Sequence, residues 1–320
     1  MSTTAETIEV RILRRTEAAE GIIALDLAAP EGVLLPAFEA GAHVDVHVGP
    51  GVVRQYSLCN DPAESSRYRL GILLDPQSRG GSSEIHRSFA EGRTIRISVP
   101  RNNFRLEETA TKSILLGGGI GVTPLLAMAF RLHALGKDFE LHYCTRSRDR
   151  TAFMEDIARA SFADRVFIHH DDGPPEQRFD PASLPRPEAG IHLYVCGPTG
   201  FMDWVIGGAK ARGYDDDHIH KEYFNAEVDV SGDSFVVEAR RSGKTVTVPA
   251  DKSIADALSA VGVALPLSCE QGVCGTCLVD VIEGIPDHRD MYQTDAEKAS
   301  NKQITPCCSR AKTPKLVLDC

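Results

Sequence analysis

CEQGVCGTC, residues 269–277, packs three of the chain's nine cysteines into one short run with two glycines between them. Cys269, Cys274 and Cys277 are spaced C-x4-C-x2-C, and an adjacent pair, Cys307 and Cys308, follows thirty residues later. This is the ligand spacing of a plant-type [2Fe–2S] cluster. Three thiolates on one loop must converge on two irons. Gly272 and Gly275 allow the tight turns this needs and bring backbone N–H groups against sulfur. Zinc sites more often pair C-x2-C spacings. A disulfide framework fits poorly too, because "MSTTAETIEVRILRR" (1–15) has no apolar signal core and points to a cytoplasmic, reducing setting. Spacing alone leaves Cys307 and Cys308 open as the fourth ligand. "ITPCCSRA" (304–311) reads as extended chain, in which successive side chains face opposite ways and only one thiol meets the cluster.

Working upstream, "FVVEARRSGKTVTVPADKSIADALSAVG" (235–262) reads as a hairpin with a Ser-Gly turn and then a helix started by Asp251 or Ser253. Before it, "NAEVDVSGDS" (225–234) reads as a linker. Earlier still, "KSILLGGGIGVTPLLAMAFRLHALG" (112–136) is strand, glycine turn and apolar helix. "FELHYCTRS", "RVFIHHD" and "GIHLYVCGP" are further apolar strands with helical spacers. That alternation marks a parallel α/β sheet. The first hundred residues alternate apolar and polar in short strands, as in "IEVRILRRTEAAEGIIALDLAAP", "AHVDVHV" and "YRLGILL", and predict an antiparallel β-barrel.

A chain of 320 residues suits two or three domains. Its net charge of −10 argues against a nucleic-acid partner. No apolar run of about 18 residues exists, so no membrane span is expected.

Three further stretches could carry chemistry. "GGGIGVTP" (117–124) follows a strand and opens a helix, where backbone N–H groups can approach a phosphate. "CGP" (196–198) ends a second apolar strand at the same edge of the sheet, where ligands of such sheets sit. "RQYSLCN" (54–60) and "SRGGSSEI" (78–85) offer a cation, an aromatic, hydroxyls and a helix start, a plausible phosphate cradle. Cys59 and Cys144 read as small buried hydrophobes. His169, His170, Asp215–Asp217 and "DHRD" (287–290) read as structural or surface groups.

In this order the motifs resemble the phthalate dioxygenase reductase family over essentially the whole chain. R-x-Y-S-L matches Arg54, Tyr56, Ser57 and Leu58. G-G-S matches Gly80, Gly81 and Ser82. G-G-I-G-x-T-P matches Gly118–Pro124, and C-G-P matches Cys196, Gly197 and Pro198. "HKEYF" resembles H-x-E-x-F and carries Glu222 and Phe224. The resemblance implies a flavin-binding barrel at 1–105, a nicotinamide-binding α/β domain at 106–226 and a β-grasp ferredoxin at 233–320. It implies FMN, NADH and a [2Fe–2S] cluster as cofactors. Arg54, Gln55, Tyr56, Ser57, Arg79, Gly80, Gly81, Ser82, Ser83 and Phe224 would lie on the flavin. Gly118, Gly119, Ile120, Gly121, Thr123, Pro124, Thr145, Arg146, Cys196, Gly197 and Pro198 would lie on the dinucleotide. Cys196, Ser57 and Phe224 would flank the hydride path. The pattern C-V-S-R-A places the fourth ligand at Cys307, with Cys308 as a small hydrophobe.

The implied function is the reductase of a two-component oxygenase or demethylase. The implied partner is a Rieske-type terminal oxygenase, with no nucleic acid or membrane and the reductase a monomer. A plant-type cluster near about −400 mV and a Rieske centre above about −150 mV differ by about 250 mV, so transfer is one-way by about four decades. The chain has no two-histidine, one-carboxylate iron site at helical spacing, so oxygenation belongs elsewhere. The alternatives are a stand-alone reductase of quinones or ferric acceptors, or a redox sensor; complete flavin and nicotinamide motifs argue against the sensor.

Overall fold

The structure, a computed structural model, describes residues 6–31, 33–49, 52–76, 80–224 and 228–320. Three main sheets fall into two compact units, one within 5–224 and the other within 225–320.

The first unit opens with an antiparallel barrel. Its strands are β1 (Thr7–Ala19), β2 (Ile22–Ala28), β3 (His43–Gly49), β4 (Val52–Ser57), β5 (Tyr68–Leu73) and β6 (Thr94–Ser98), in the order β4-β3-β6-β1-β2-β5. A bridge from Leu58 to Leu70 brings the two edge strands together and closes the sheet. Helix α1 (Gly81–Ser88) leads from β5 toward β6.

Next comes a fully parallel sheet of β7 (Lys112–Gly118), β8 (Asp138–Thr145), β9 (Val166–His170), β10 (Ile191–Cys196) and β11 (Ile219–Glu222). Helices α2 (Val122–Ala134), α3 (Met154–Arg159) and α4 (Thr199–Arg212) connect them. The unbroken apolar run of β7 follows from burial on both faces, as parallel sheets require. The order β11-β10-β7-β8-β9 puts β7 beside β10, with the chain leaving in opposite directions from that pair. Such a switch point opens a crevice at the carboxyl ends of the two strands. Barrel and parallel sheet share one apolar core that runs from Val10 and Leu25 to Tyr143 and Tyr194.

The second unit is a β-grasp. Strands β12 (Phe235–Ala239), β13 (Lys244–Val248), β14 (Val279–Glu283), β16 (Gln303–Ile304) and β18 (Lys315–Leu318) form a mixed sheet, and β15 (Pro286–Asp287) pairs with β17 (Arg310–Ala311). The β12–β13 hairpin turns at Ser242–Gly243, as the sequence suggests. Helix α5 (Ile254–Ala260) buries Ile254, Ala257 and Leu258 in the sheet's core. Of the two start signals, Ser253 is the cap: its Oγ accepts from the Asp256 N–H at 3.0 Å. Helix α6 (Asp295–Ser300) opens on a capping box between Thr294 and Glu297. No helix of the described residues is long and apolar enough to cross a membrane.

Two expectations change. Residues 306–308 form a turn, not extended chain, because the Thr305 carbonyl accepts both the Cys308 N–H (3.3 Å) and the Ser309 N–H (3.0 Å). The "DHRD" segment is not all surface. Asp290 is buried and accepts from the Gln293 N–H at 2.7 Å. Arg289 donates to the carbonyls of Asp229 (2.6 Å) and Ser231 (2.8 Å), which holds down the segment leading into β12.

Candidate active site and cluster loop

In the first unit the two glycine turns interlock at the switch point. Cys196 at the end of β10 pairs with Gly117 of β7, and Glu222 at the end of β11 pairs with Cys196. A Cβ on Gly121 would stand 2.3 Å from the Cys196 carbonyl oxygen. One on Gly118 or Gly197 would stand 2.7 Å from the Phe201 ring. Glycine is therefore demanded by close backbone approach, not merely by turning. Gly119, at φ +55°, has open space above it. Ile120 is half-buried, and the Ile120 carbonyl accepts from Thr123 Oγ1 at 2.9 Å. Pro124 is buried in the first turn of α2, and Pro198 is exposed at the start of α4. At the end of β8, Thr145 is buried on Thr151 (2.7 Å), while Arg146 is exposed beside it.

The barrel supplies the facing wall. Ser57 ends β4, and its Oγ donates to Glu222 Oε2 at 3.4 Å across 165 residues of sequence. Burial pushes the Glu222 carboxyl up to about 8, opposed by Ser57, so it is protonated at neutral pH. Burial, with Glu222 adding, holds the Cys196 thiol well above its usual range, and it too stays neutral. Phe224 is half-buried against the same core. Burial likewise raises the Tyr56 phenol.

Arg54 lies along Gly81, where a Cβ would stand 2.7 Å from its Cγ and Nε. A cation thus stands at the N-terminus of α1, where Gly80 is exposed at φ +92°. Ser82 is buried and accepts from the Asp75 N–H, and the exposed Ser83 hydroxyl donates to the Gly80 carbonyl. Arg79 lies outside the described residues. Gln55 points elsewhere: its amide donates to Asp45 (3.0 Å), which also pairs with Arg101. Gly71 of β5 escaped the sequence reading. A Cβ there would stand 2.8 Å from both Phe153 and Thr123, so this strand seats the barrel on the β7–α2 turn. A glycine inside "YRLGILL" was the available signal.

In the second unit the thiols stand in pairs. Cys269 lies against Cys274, and Cys277 lies against Cys307, with Cys308 packed beside them. Among the described residues no three His, Cys, Asp or Glu side chains converge as for a single ion. Two thiol pairs instead suit two irons with two sulfurs each. N–H groups of Gln271 and Thr276 donate to Cys269 (3.3 Å) and Cys274 (3.4 Å) sulfurs. Gly272 and Gly275 have φ of +71° and +67°; a Cβ on Gly275 would strike the Tyr292 ring. The donor set and the N–H···S bonds fit the cluster.

Comparison with known proteins agrees with this geometry. Residues 237–312 match the 2Fe-2S iron-sulfur cluster binding domain. The chain is 52% identical to a vanillate O-demethylase oxidoreductase of Pseudomonas sp. (strain HR199 / DSM 7063), over 98% of this chain and 99% of that one. It is 39% identical to the phthalate dioxygenase reductase of Burkholderia cepacia, over 98% and 97% of the two chains. The chain belongs to the phthalate dioxygenase reductase family. A solved phthalate dioxygenase reductase, described as a modular structure for electron transfer from pyridine nucleotides to [2Fe–2S], superposes with a TM-score of 0.75 at 39% identity, covering 98% of each chain. This member of the phthalate dioxygenase reductase family thus shares both the order of its sheets and its cysteine loop with an electron-transfer protein.

Proposed function

We propose that the protein is the NADH-dependent reductase component of a two-component oxygenase or demethylase system. Its electrons would run from NADH through FMN and a [2Fe–2S] cluster to a Rieske-type terminal oxygenase. The observation that carries this is the meeting of Ser57, Cys196 and Glu222 at the switch-point crevice of a chain that also bears a cluster-binding loop. When bound, these groups supply the chemistry: hydride from nicotinamide, conversion of an electron pair to single electrons by flavin, and single-electron transfer by the cluster.

The chain's own residues have definite tasks. Arg54 and the N-terminus of α1 would hold the flavin phosphate, aided by Arg79–Ser83, with FMN expected from the order of the motifs. Tyr56 and Phe224 would bound the ring. The turn Gly118–Pro124, with Thr145, Arg146 and Cys196–Pro198, would hold the dinucleotide. Gly121 and Gly197 let the two turns close on each other, which sets where a nicotinamide can rest. Glu222, half-buried, holds a proton at its carboxyl beside the buried Ser57 hydroxyl. Cys196 packs there as a neutral thiol, suited to contact and not to nucleophilic attack. Cys269 and Cys274 would hold one iron, Cys277 and Cys307 the other. That all nine cysteines are free supports a cytoplasmic setting.

The test is reconstitution of the full chain with a Rieske oxygenase. NADH oxidation should become coupled to oxygenase turnover, and Cys277→Ser should abolish that coupling while NADH-driven dye reduction continues. Unchanged coupling in Cys277→Ser would refute the path.

A further inference from the structure

Leu267, Met291 and Tyr292, three large side chains of the second unit, are 39–40% exposed. All three stand at the cysteine loop. Leu267 lies just before Cys269 in the chain. The Met291 N–H donates to the Gly272 carbonyl at 3.0 Å, which lays its segment along the loop. The phenol end of Tyr292 rests over Gly275, where a Cβ would stand 2.3 Å from its Cζ. Apolar groups exposed singly need no explanation, but groups gathered at one place mark a binding face. Tyrosine and methionine are also enriched at the cores of protein interfaces.

The exposed charges beside this crown are acidic. Helix α6 is tied next to it, because Lys298 Nζ donates to the Asp290 carbonyl at 2.5 Å. The lysine of that helix is thereby turned inward, while its Asp295 and Glu297 are exposed. Glu270, in the loop itself, is exposed as well. Arg289 and Arg310 are turned to backbone carbonyls. An apolar centre with a polar rim is the layout of a protein interface, and an acidic rim selects a partner that is basic around its own recess. A second copy of this chain is a poor match, since the chain carries a net charge of −10. A partner held on this face meets the loop that carries the cysteines, which is where single electrons would leave.

We propose that Leu267, Met291 and Tyr292 form the docking face for the electron acceptor, a terminal oxygenase with a basic rim, and that Tyr292 anchors it. The proposal rests on the reading of this chain as an oxygenase reductase. In the docked pair one electron leaves the reduced cluster and enters the iron centre of the oxygenase, and no atom passes between the proteins. The acidic rim steers the encounter, and the buried tyrosine holds the complex once it has formed.

The test uses the full-length holoprotein with the Rieske oxygenase of the reconstitution above, and the variants Tyr292→Ala, Met291→Ala and Asp295→Asn. Iron content and the anaerobic bleaching of flavin and cluster by NADH are read first, because Tyr292 also touches the loop. Both should match the wild type. Coupled turnover against oxygenase concentration should then show KM for the oxygenase raised about ten- to thirtyfold in Tyr292→Ala and about fivefold in Met291→Ala. Asp295→Asn should raise KM at low salt and weaken its dependence on added NaCl. Wild-type KM in both alanine variants overturns the docking face, and an unchanged salt dependence in Asp295→Asn overturns the acidic rim. Slowed bleaching of the cluster with an unchanged KM also overturns the proposal, since the flavin-bearing unit would then be what the face meets. A wild-type dimer that Met291→Ala dissociates, with coupling intact, gives the face to a second copy instead. If Tyr292→Ala loses iron, Met291→Ala and Asp295→Asn decide by the same readouts. A wild-type chain that drives no Rieske oxygenase overturns the reading beneath the proposal, an outcome distinct from all of these.

Discussion

Gly121→Ala isolates the role of the interlocked turns. Gly121 has φ −62° and ψ −7°, which alanine adopts freely, so backbone strain does not enter. What enters is one methyl group. It would lie 2.3 Å from the Cys196 carbonyl oxygen, 2.5 Å from the Cys196 carbonyl carbon and 2.6 Å from the Gly197 nitrogen. All three are backbone atoms, which cannot swing aside as a side chain would. Carbon–oxygen contacts settle near about 3.3 Å, so the two turns must part by about 1 Å. A misplacement of about 1 Å is worth about a hundredfold in a step that depends on alignment. Overpacking of this kind also costs about 1–3 kcal/mol of stability. Anaerobic stopped-flow mixing with NADH should show flavin bleaching slowed by about a hundredfold. Iron content should be unchanged, because the cysteines lie in the other unit. Gly200→Ala is the control: it sits in the first turn of α4, and a Cβ there meets nothing within 4 Å. It should reduce within about twofold of wild type. Wild-type bleaching in Gly121→Ala, or equal damage from Gly200→Ala, would refute the reasoning.

Glu222 offers a pH signature. Its folded value near 8 lies above its unfolded one, so its contribution to stability is complete below about 4.5 and is lost as pH rises to about 8. Glu222→Gln, an uncharged mimic, should flatten that part of the Tm–pH curve and gain on wild type above pH 8; parallel curves would show that the carboxyl is not held neutral. Acid treatment should release FMN, and release of FAD would overturn the flavin assignment. Steady-state kcat/KM should favour NADH over NADPH; the reverse would mean that Arg146 or Arg148 accepts a 2′-phosphate. A chain ending at Phe224 should keep flavin and NADH-driven dye reduction but lose transfer to the oxygenase; retained transfer would exclude the cluster as the exit.

Most of the architecture could be read from the residues because local signals and fold agree. Glycines flanking apolar runs marked the β7–α2 and β10–α4 turns, and the cysteine spacing marked the loop of the β-grasp. What escaped depends on partners that only the folded chain supplies. The alternation rule applied to "ITPCCSRA" presumes a neighbouring strand, whereas here the Thr305 carbonyl gathers two N–H groups and curls the chain. "DHRD" looks like surface because charge usually is. Asp290 is nonetheless buried, accepting from the Gln293 N–H, and Arg289 is committed to the distant carbonyls of Asp229 and Ser231. The sequence could point to Glu222 by resemblance, but its neutral state comes from the barrel wall that covers it. Gly71 shows the converse: the mark was in the sequence, and only the packed neighbours reveal its purpose.

The family match begins at residue 237, but the physical part begins earlier. Arg310, three residues after Cys307, is 2% exposed and donates to four carbonyls: Val230, Lys252 (2.8 Å), Asp233 (2.9 Å) and Pro249 (3.0 Å). With Arg289 on Asp229 and Ser231, it binds the entry strap to the ligand segment, and Val228 packs against the cluster of Cys277, Cys307 and Cys308. The strap is therefore part of the socket. Anyone grafting this electron carrier onto another protein, or moving it to the front of its own, must carry residues 228–236 along, or the graft will arrive with an opened core and a loosened grip on its iron.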